Sequence, residues 1–281
     1  MKTKNIVIAS RRQLLKKLTA IFGASLIPST FFAASNKGID TPRIALIIGN
    51  SKYPDSPLIN PVNDATAMGK ELTLLGFNSQ ILLNSNLNEL VTAVENYSDQ
   101  IAKSKAVGLF YYAGHGVQLG WRNYLVPVDA NIDRVDEIPQ KTFELNTMLI
   151  SLGKAKNPMN IIILDACRDN PFGKKLPPEQ KGLSQFDAPP NSLLCYSTAP
   201  GNVASDGDGV NGLFTENLLR EMRNPEAKIE DVFKRVRLKV RLASKGQQIP
   251  WESTSLEDDF YFNTSTVDSK KINSGLSQEK K

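Results

Sequence analysis

The chain has 281 residues, of which 41% are hydrophobic and 22% charged, a balance typical of globular proteins. Its formal net charge of +5 comes from the N-terminus, because the first 35 residues hold six lysines and arginines and no acid. The remainder is close to neutral, at about −1. A near-neutral body lacks the basic surface of a nucleic-acid-binding protein, so we expect no nucleic-acid partner.

Residues 1–35 have the organisation of an export signal. Arg11 and Arg12 precede an apolar stretch over 18–34 that is too short and too interrupted for a stable membrane span. The segment resembles a twin-arginine signal, and the small residues at 33–35 offer a cleavage site. We therefore expect a periplasmic or secreted protein with no stable membrane anchor once the signal is removed. An uncleaved anchor or a basic amphipathic helix is the alternative.

Strands and helices alternate over residues 40–263. Apolar runs predict buried strands at 43–49, 79–83, 106–112, 124–128, 160–164 and 192–196. Amphipathic spacing predicts helices at 63–76, 88–103, 145–152, 213–223 and 229–244. Nearly continuous apolar strands between helices predict an α/β domain with a mostly parallel sheet between two helical layers. The polar residues 264–281 contain no aromatic side chain and are predicted to be a disordered tail.

Two predicted strands lead into reactive side chains. The strand at 106–112 runs into His115, the only histidine, and the strand at 160–164 runs into Cys167. Parallel strands end at one edge of the sheet, where ligands of open α/β sheets bind, so these residues should lie close together. A free thiol has a pKa of about 8.5, and a neighbouring imidazole can take its proton. Taken alone, a cysteine or a histidine at such a position most often has a structural role. The two together, at adjacent strand ends, predict Cys167 as nucleophile and His115 as base.

The surroundings of this pair suggest the rest of the site. The backbone amides of Gly116 and Cys167 could form an oxyanion hole. One histidine and two distant cysteines do not have the spacing of a metal site, so we expect no metal. Cys195 is expected to be a buried strand residue. Two cysteines exclude a disulfide framework, although a single bridge stays possible in an oxidising compartment.

These motifs resemble those of the caspase-like cysteine peptidases of family C14, in particular the bacterial relatives of metacaspases. The resemblance covers about 43–262 and rests on residues 45–50, 63–65, 165–167 with His115 upstream, and 196–201. It implies the caspase-like fold, a three-layer α/β/α sandwich with a six-stranded sheet. It also implies a Cys–His dyad and hydrolysis of polypeptide substrates.

The resemblance further implies a specificity. Metacaspases have acidic residues at the positions of Asp165 and Asp64, and an acidic pocket favours a basic residue before the cut bond. Asp165 lies two residues before Cys167, so both belong to one face of a strand. A plain helix N-cap is the alternative role for Asp64. Ala113 stands where metacaspases usually have serine.

The sequence therefore predicts a cysteine endopeptidase that cleaves after Arg or Lys. Two alternatives stay open, namely an inactive caspase-like interaction module and a thiol hydrolase of a non-peptide acyl substrate. No cofactor is expected, because the acidic residues form no recognisable calcium-binding loop. Some metacaspases require calcium, so the resemblance alone leaves calcium possible. The oligomeric state stays open, and so does self-cleavage in the loop 168–191, at Lys174, Lys175 or Lys181.

Overall fold

The computed structural model describes residues 41–264, except 168–171, 173–182, 185, 200–208 and the side chain of Cys167. The predicted export signal lies outside the described residues, as does the predicted tail beyond its first residue. None of the helices in the described part of the chain is long and apolar enough to cross a membrane.

The elements alternate along the chain. In order they are β1 (Arg43–Gly49), α1 (Pro61–Leu74), β2 (Asn78–Leu83), α2 (Leu87–Ser104), β3 (Val107–Leu119), β4 (Arg122–Leu125), a 3₁₀ turn (Val135–Glu137), α3 (Ile138–Lys141), β5 (Phe143–Glu144), α4 (Leu145–Ala155), β6 (Asn160–Cys167), β7 (Ser192–Tyr196), α5 (Leu213–Met222), α6 (Ile229–Ala243) and β8 (Trp251–Thr254).

In the described part of the chain, the main sheet has six strands in the order β2-β1-β3-β6-β7-β8. The first five are parallel, and only β8 pairs antiparallel, with β7. The second half of β3 also pairs with β4, and β4 with β5, as an antiparallel ribbon. The predicted α/β fold with a mostly parallel six-stranded sheet is thereby confirmed.

Helices cover both faces of the sheet. One core lies between the sheet and α1, α5 and α6, and the other lies between the sheet and α2 and α4. Because successive strand residues point to opposite faces, Tyr111 belongs to the first core and Tyr112 to the second. This alternation places two neighbouring hydroxyl groups on different sides of the sheet.

Both strands with reactive residues are longer than predicted. β3 continues past 112 to Leu119, and β6 continues past 164 to Cys167. The apolar runs stop earlier, but the backbone beyond them is still paired. β6 pairs with β3 as far as His115, and β3 then pairs with β4, so hydrogen bonding rather than hydrophobicity sets the true ends.

The remaining differences lie in short or terminal elements. α1 begins at Pro61, because proline is well suited to the first turn of a helix, and it ends at Leu74 before Gly76. β8 was missed, since a four-residue edge strand with a half-exposed pattern gives little alternation to detect. The elements α3 and β5 are likewise too short for a periodic signal.

Candidate active site

The register of the sheet brings His115 beside Cys167. β3 and β6 pair in parallel from Gly108 opposite Asn160 to His115 opposite Cys167. Paired strands lie about 4.8 Å apart, so the two residues are direct neighbours across the sheet. A base and a thiol in this relation can form a catalytic pair.

Tyrosine hydroxyls hold the backbone of His115. Its N–H donates to Tyr53 Oη at 3.0 Å, and Tyr53 Oη lies 3.1 Å from the carbonyl oxygen of Val126. The carbonyl of His115 accepts from the Val126 N–H at 3.1 Å and from Tyr112 Oη at 2.7 Å. Both backbone groups of the histidine therefore have partners.

The imidazole is 2% exposed and has a defined orientation. Its Nε2 lies 2.8 Å from the carbonyl oxygen of Ser56 and 3.2 Å from Ser56 Oγ, and its ring centroid lies 4.4 Å from that of Tyr53. A carbonyl oxygen can only accept, so Nε2 carries the proton in this contact. The neutral ring then has its lone pair on Nδ1, which is the atom able to take a proton from a thiol.

The side chain of Leu183 packs against the Cα of Gly116, the predicted oxyanion-hole residue. A Cβ at this position would lie 2.6 Å from Cδ2 of Leu183, which is itself buried. The following residue, Ser184, donates its N–H to Asn123 Oδ1 at 2.6 Å, and Asn123 Nδ2 donates to the Ser184 carbonyl at 2.7 Å. These bonds hold Leu183 in place, so a larger residue than glycine would clash at 116.

Asp165 lies in β6, half-buried, among hydroxyl groups. Its Oδ2 accepts from Thr215 Oγ1 at 2.7 Å and lies 3.4 Å from Tyr111 Oη. The two hydroxyls are 2.6 Å apart. Burial first, and then the charges of Asp165 and Asp64, raise the pKa of Tyr111 well above its usual 10.0. Tyr111 is therefore a neutral partner for the carboxylate.

Asp64 is buried in the first turn of α1, but the N-cap alternative is wrong because Asn60 occupies that position. Its Oδ1 accepts from Asn211 Nδ2 at 2.8 Å and from the Gly212 N–H at 2.9 Å. Gly212 is the N-cap residue of α5, so the carboxylate binds the start of that helix. Its charge also reaches Tyr111 Oη. Both predicted acidic residues thus contribute to the raised pKa of the same hydroxyl group, that of Tyr111.

Four residues around the site were not identified from the sequence, namely Tyr53, Ser56, Tyr111 and Thr215. Ser56 contributes a backbone carbonyl, for which no residue type is diagnostic. In the sequence, Tyr111 is one of several apolar residues in a predicted strand, so nothing distinguishes it as a site residue. A helical pattern after a strand could have drawn attention to Thr215, but nothing in the sequence pairs it with Asp165.

The remaining cysteine lies outside this arrangement. Cys195 is a fully buried free thiol in β7, as predicted, and burial raises its pKa well above the usual 9.0. Within the described residues, no group of three or more His, Cys, Asp or Glu side chains is placed to hold a metal ion.

A parallel sheet between two helical layers, with this site at the carboxyl end of its central strands, defines a caspase-like α/β protein. The *Drosophila* initiator caspase Dronc superposes with a TM-score of 0.58 at 14% identity, over 79% of this chain and 83% of that one. Caspase-1 from *Spodoptera frugiperda* gives 0.61 at 17% identity, over 81% and 92%. At these identities the likeness concerns the fold.

The chain belongs to the peptidase C14 family, whose caspase domain matches residues 42–261. Members of this family are cysteine peptidases, and the resemblance expected from the sequence is confirmed. Mucosa-associated lymphoid tissue lymphoma translocation protein 1 from *Homo sapiens* and its *Mus musculus* homolog are 28% identical over 181 residues. The match covers 63% of this chain but 21% of each relative, so the chain spans about a fifth of their length.

Proposed function

We propose that this protein is a cysteine endopeptidase in which Cys167 is the nucleophile and His115 its base, and that it cleaves polypeptides after Arg or Lys. The observation that carries the proposal is the register of β3 and β6, which sets His115 opposite Cys167. The contact of Nε2 with the Ser56 carbonyl supports the same assignment, because it leaves the lone pair on Nδ1.

In the proposed reaction, His115 Nδ1 takes the thiol proton and the thiolate attacks the substrate carbonyl carbon. The backbone amides of Gly116 and Cys167 donate to the oxyanion of the tetrahedral intermediate. The imidazolium then returns the proton to the leaving amine, and a thioester remains. A water molecule, deprotonated by the same nitrogen, hydrolyses the thioester to the free acid and restores the thiol.

The specificity rests on Asp165 and Asp64. Hydroxyl groups orient the Asp165 carboxylate without cancelling its charge, because Thr215 and Tyr111 are both neutral. A guanidinium or ammonium group of the substrate can therefore make a charge-assisted contact there. An aspartate side chain would be repelled, and a neutral one would not make the charge-assisted contact.

The proposal is tested with peptides that differ only at the residue before the cut bond, namely Arg, Lys, norleucine and Asp. We expect cleavage after Arg and Lys, negligible cleavage after Asp, and none by the Cys167→Ala protein. Efficient cleavage after Asp would contradict the specificity. Rapid alkylation of Cys167 without cleavage of any peptide would contradict the endopeptidase assignment and favour a thiol hydrolase of another acyl substrate.

We also propose, from the sequence of residues 1–35, export by the twin-arginine route to the periplasm. The paired change Arg11→Lys with Arg12→Lys should leave the precursor in the cytoplasm, because lysine lacks the planar guanidinium group. The matched control changes Lys16 and Lys17 to arginine, which keeps the charge and the arginine pair. Normal processing of the first variant would contradict this route.

A further inference from the structure

We propose that Tyr53 is a positioning residue for the base. Its hydroxyl replaces one hydrogen bond between β3 and the chain after β4, and its ring packs beside the imidazole. Together these contacts hold His115 as the tautomer with the proton on Nε2. The inference rests on the proposed catalytic role of His115, but the contacts that carry it involve no substrate.

The Tyr53 hydroxyl lies within the backbone ladder next to His115. Gly116 pairs with Leu125, so His115 and Val126 are opposed one step further along. Val126 N–H donates to the His115 carbonyl at 3.1 Å, which is half of an ordinary antiparallel pair. In the other half the tyrosine oxygen stands between the two backbones, accepting from His115 N–H at 3.0 Å and donating to the Val126 carbonyl at 3.1 Å. The two backbones are therefore further apart at His115, because the tyrosine oxygen lies between them.

The neighbouring backbone leaves room for this oxygen. A Cβ on Gly114 would lie 2.6 Å from Tyr53 Oη and 2.8 Å from Tyr112 Oη, closer than such atoms can approach. Burial, and then the nearby Tyr53, raise the pKa of Tyr112 well above 10.0, so that hydroxyl stays neutral. Gly114 thus permits two hydroxyl groups to meet beside the backbone of His115.

The imidazole itself contacts the segment that contains Tyr53. Tyr53 packs against it with ring centroids 4.4 Å apart, and Ser56, three residues later, supplies the carbonyl that accepts from Nε2. One short segment therefore provides both contacts. Asn84 anchors the start of the segment, because its Oδ1 accepts from the N–H groups of Ser51 at 2.9 Å and Lys52 at 3.0 Å. Release of the tyrosine hydroxyl should loosen the other end and with it the Ser56 contact.

The test compares Tyr53→Phe with Tyr97→Phe. Tyr97 is also buried, but its hydroxyl has no hydrogen-bond partner within the described residues, so it is a matched control. His115 is the only histidine, so the ¹⁵N signals of a single imidazole report its tautomer without assignment. We expect one Nε2–H tautomer in the unaltered protein and in Tyr97→Phe. Tyr53→Phe should give a mixture of tautomers, with kcat about tenfold lower or more and KM nearly unchanged.

The inference is overturned if Tyr53→Phe keeps both the single tautomer and the original kcat. If the unaltered protein cleaves no peptide, the proposed function fails, yet the tautomer measurement still decides the role of Tyr53. Should Tyr53→Phe not fold, Gly114→Ala displaces the same hydroxyls while both tyrosines remain. A single Nε2–H tautomer in Gly114→Ala would overturn the inference equally.

Discussion

Tyr111 and Tyr112 are consecutive residues of β3, yet their hydroxyl groups serve opposite halves of the candidate site. Tyr111 contacts the Asp165 carboxylate and Thr215, on the side covered by α1 and α5. Tyr112 contacts the backbone of His115, and its ring lies in the core covered by α2 and α4. The pleat of one strand thus directs one hydroxyl group to an acidic half of the site and the next hydroxyl group to a half built of aromatic rings and backbone groups.

The two halves differ in what they leave for the substrate. The contacts described for His115 are with neutral groups, and they set the direction of its ring. The contacts described for the carboxylates are also with neutral donors, but there they orient a charge and do not cancel it. We infer that the first half is organised for proton transfer and the second for selection of a cation.

The largest effect should follow from breaking the proton-transfer half. Cys167→Ala and His115→Ala should each lower kcat/KM by roughly 10³-fold or more, and the double variant should be little worse, because the pair acts as a unit. Peptide hydrolysis measures this, and thermal unfolding verifies that each variant is folded. Cys195→Ala is the matched control and should keep its activity. Substantial hydrolysis by Cys167→Ala would contradict the assignment of the nucleophile.

Neutralising the acidic half should have the next largest effect. Asp165→Asn keeps an oxygen for the Thr215 hydroxyl but removes the charge, so kcat/KM for an Arg peptide should fall at least about tenfold. The preference for Arg over norleucine should largely disappear, while alkylation of Cys167 by a small thiol reagent stays unchanged. Asp231→Asn, an exposed change in the first turn of α6, is the control. An unchanged preference in Asp165→Asn would place the specificity elsewhere.

A smaller effect is expected when the carboxylate keeps its charge but loses a hydroxyl partner. Thr215→Val preserves the shape of a fully buried side chain and removes the 2.7 Å bond to Asp165. Such a bond contributes about 1 kcal/mol, so KM for an Arg peptide should rise about fivefold with little change in kcat. Thr142→Val, which removes a buried hydroxyl bound to the Ile138 carbonyl, should leave KM unchanged. Equal KM changes in both variants would indicate a general packing effect.

The last effect is on alkaline stability rather than on activity, and it applies to both halves. Burial raises the pKa of Tyr111 and of Tyr112 well above 10.0, so the unfolded state loses these protons at a lower pH than the folded state. The contribution of these two tyrosines to the free energy of unfolding is complete below about pH 10. It declines as the pH rises further, by about 1.4 kcal/mol per pH unit for each group. Urea unfolding of Tyr111→Phe between about pH 9 and 11 should show a shallower decline than the unaltered protein. Identical slopes would contradict the raised pKa.

Much of this arrangement follows from residue patterns. Apolar runs predicted the parallel sheet, and the topology of such sheets predicted that His115 and Cys167 meet at one edge. The contacts that orient the pair do not follow, because they use atoms without a pattern of their own. Ser56 contributes a backbone carbonyl, which every residue type has. The role of Tyr53 Oη depends on a hydrogen bond that is missing from the ladder between two backbones. Thr215 reaches Asp165 only because α5 packs on that face of the sheet.

The roles of Cys167, His115 and Asp165 are tested most directly by labelling with two peptidyl acyloxymethyl ketones that differ only in Arg or Asp at the residue next to the ketone. The Arg reagent should add once to the protein, with the adduct located on Cys167 by peptide mass spectrometry. The His115→Ala protein should not react, and the Asp reagent should label neither protein. Labelling of Cys167 by the Asp reagent at a comparable rate, or no labelling by the Arg reagent, would contradict the account.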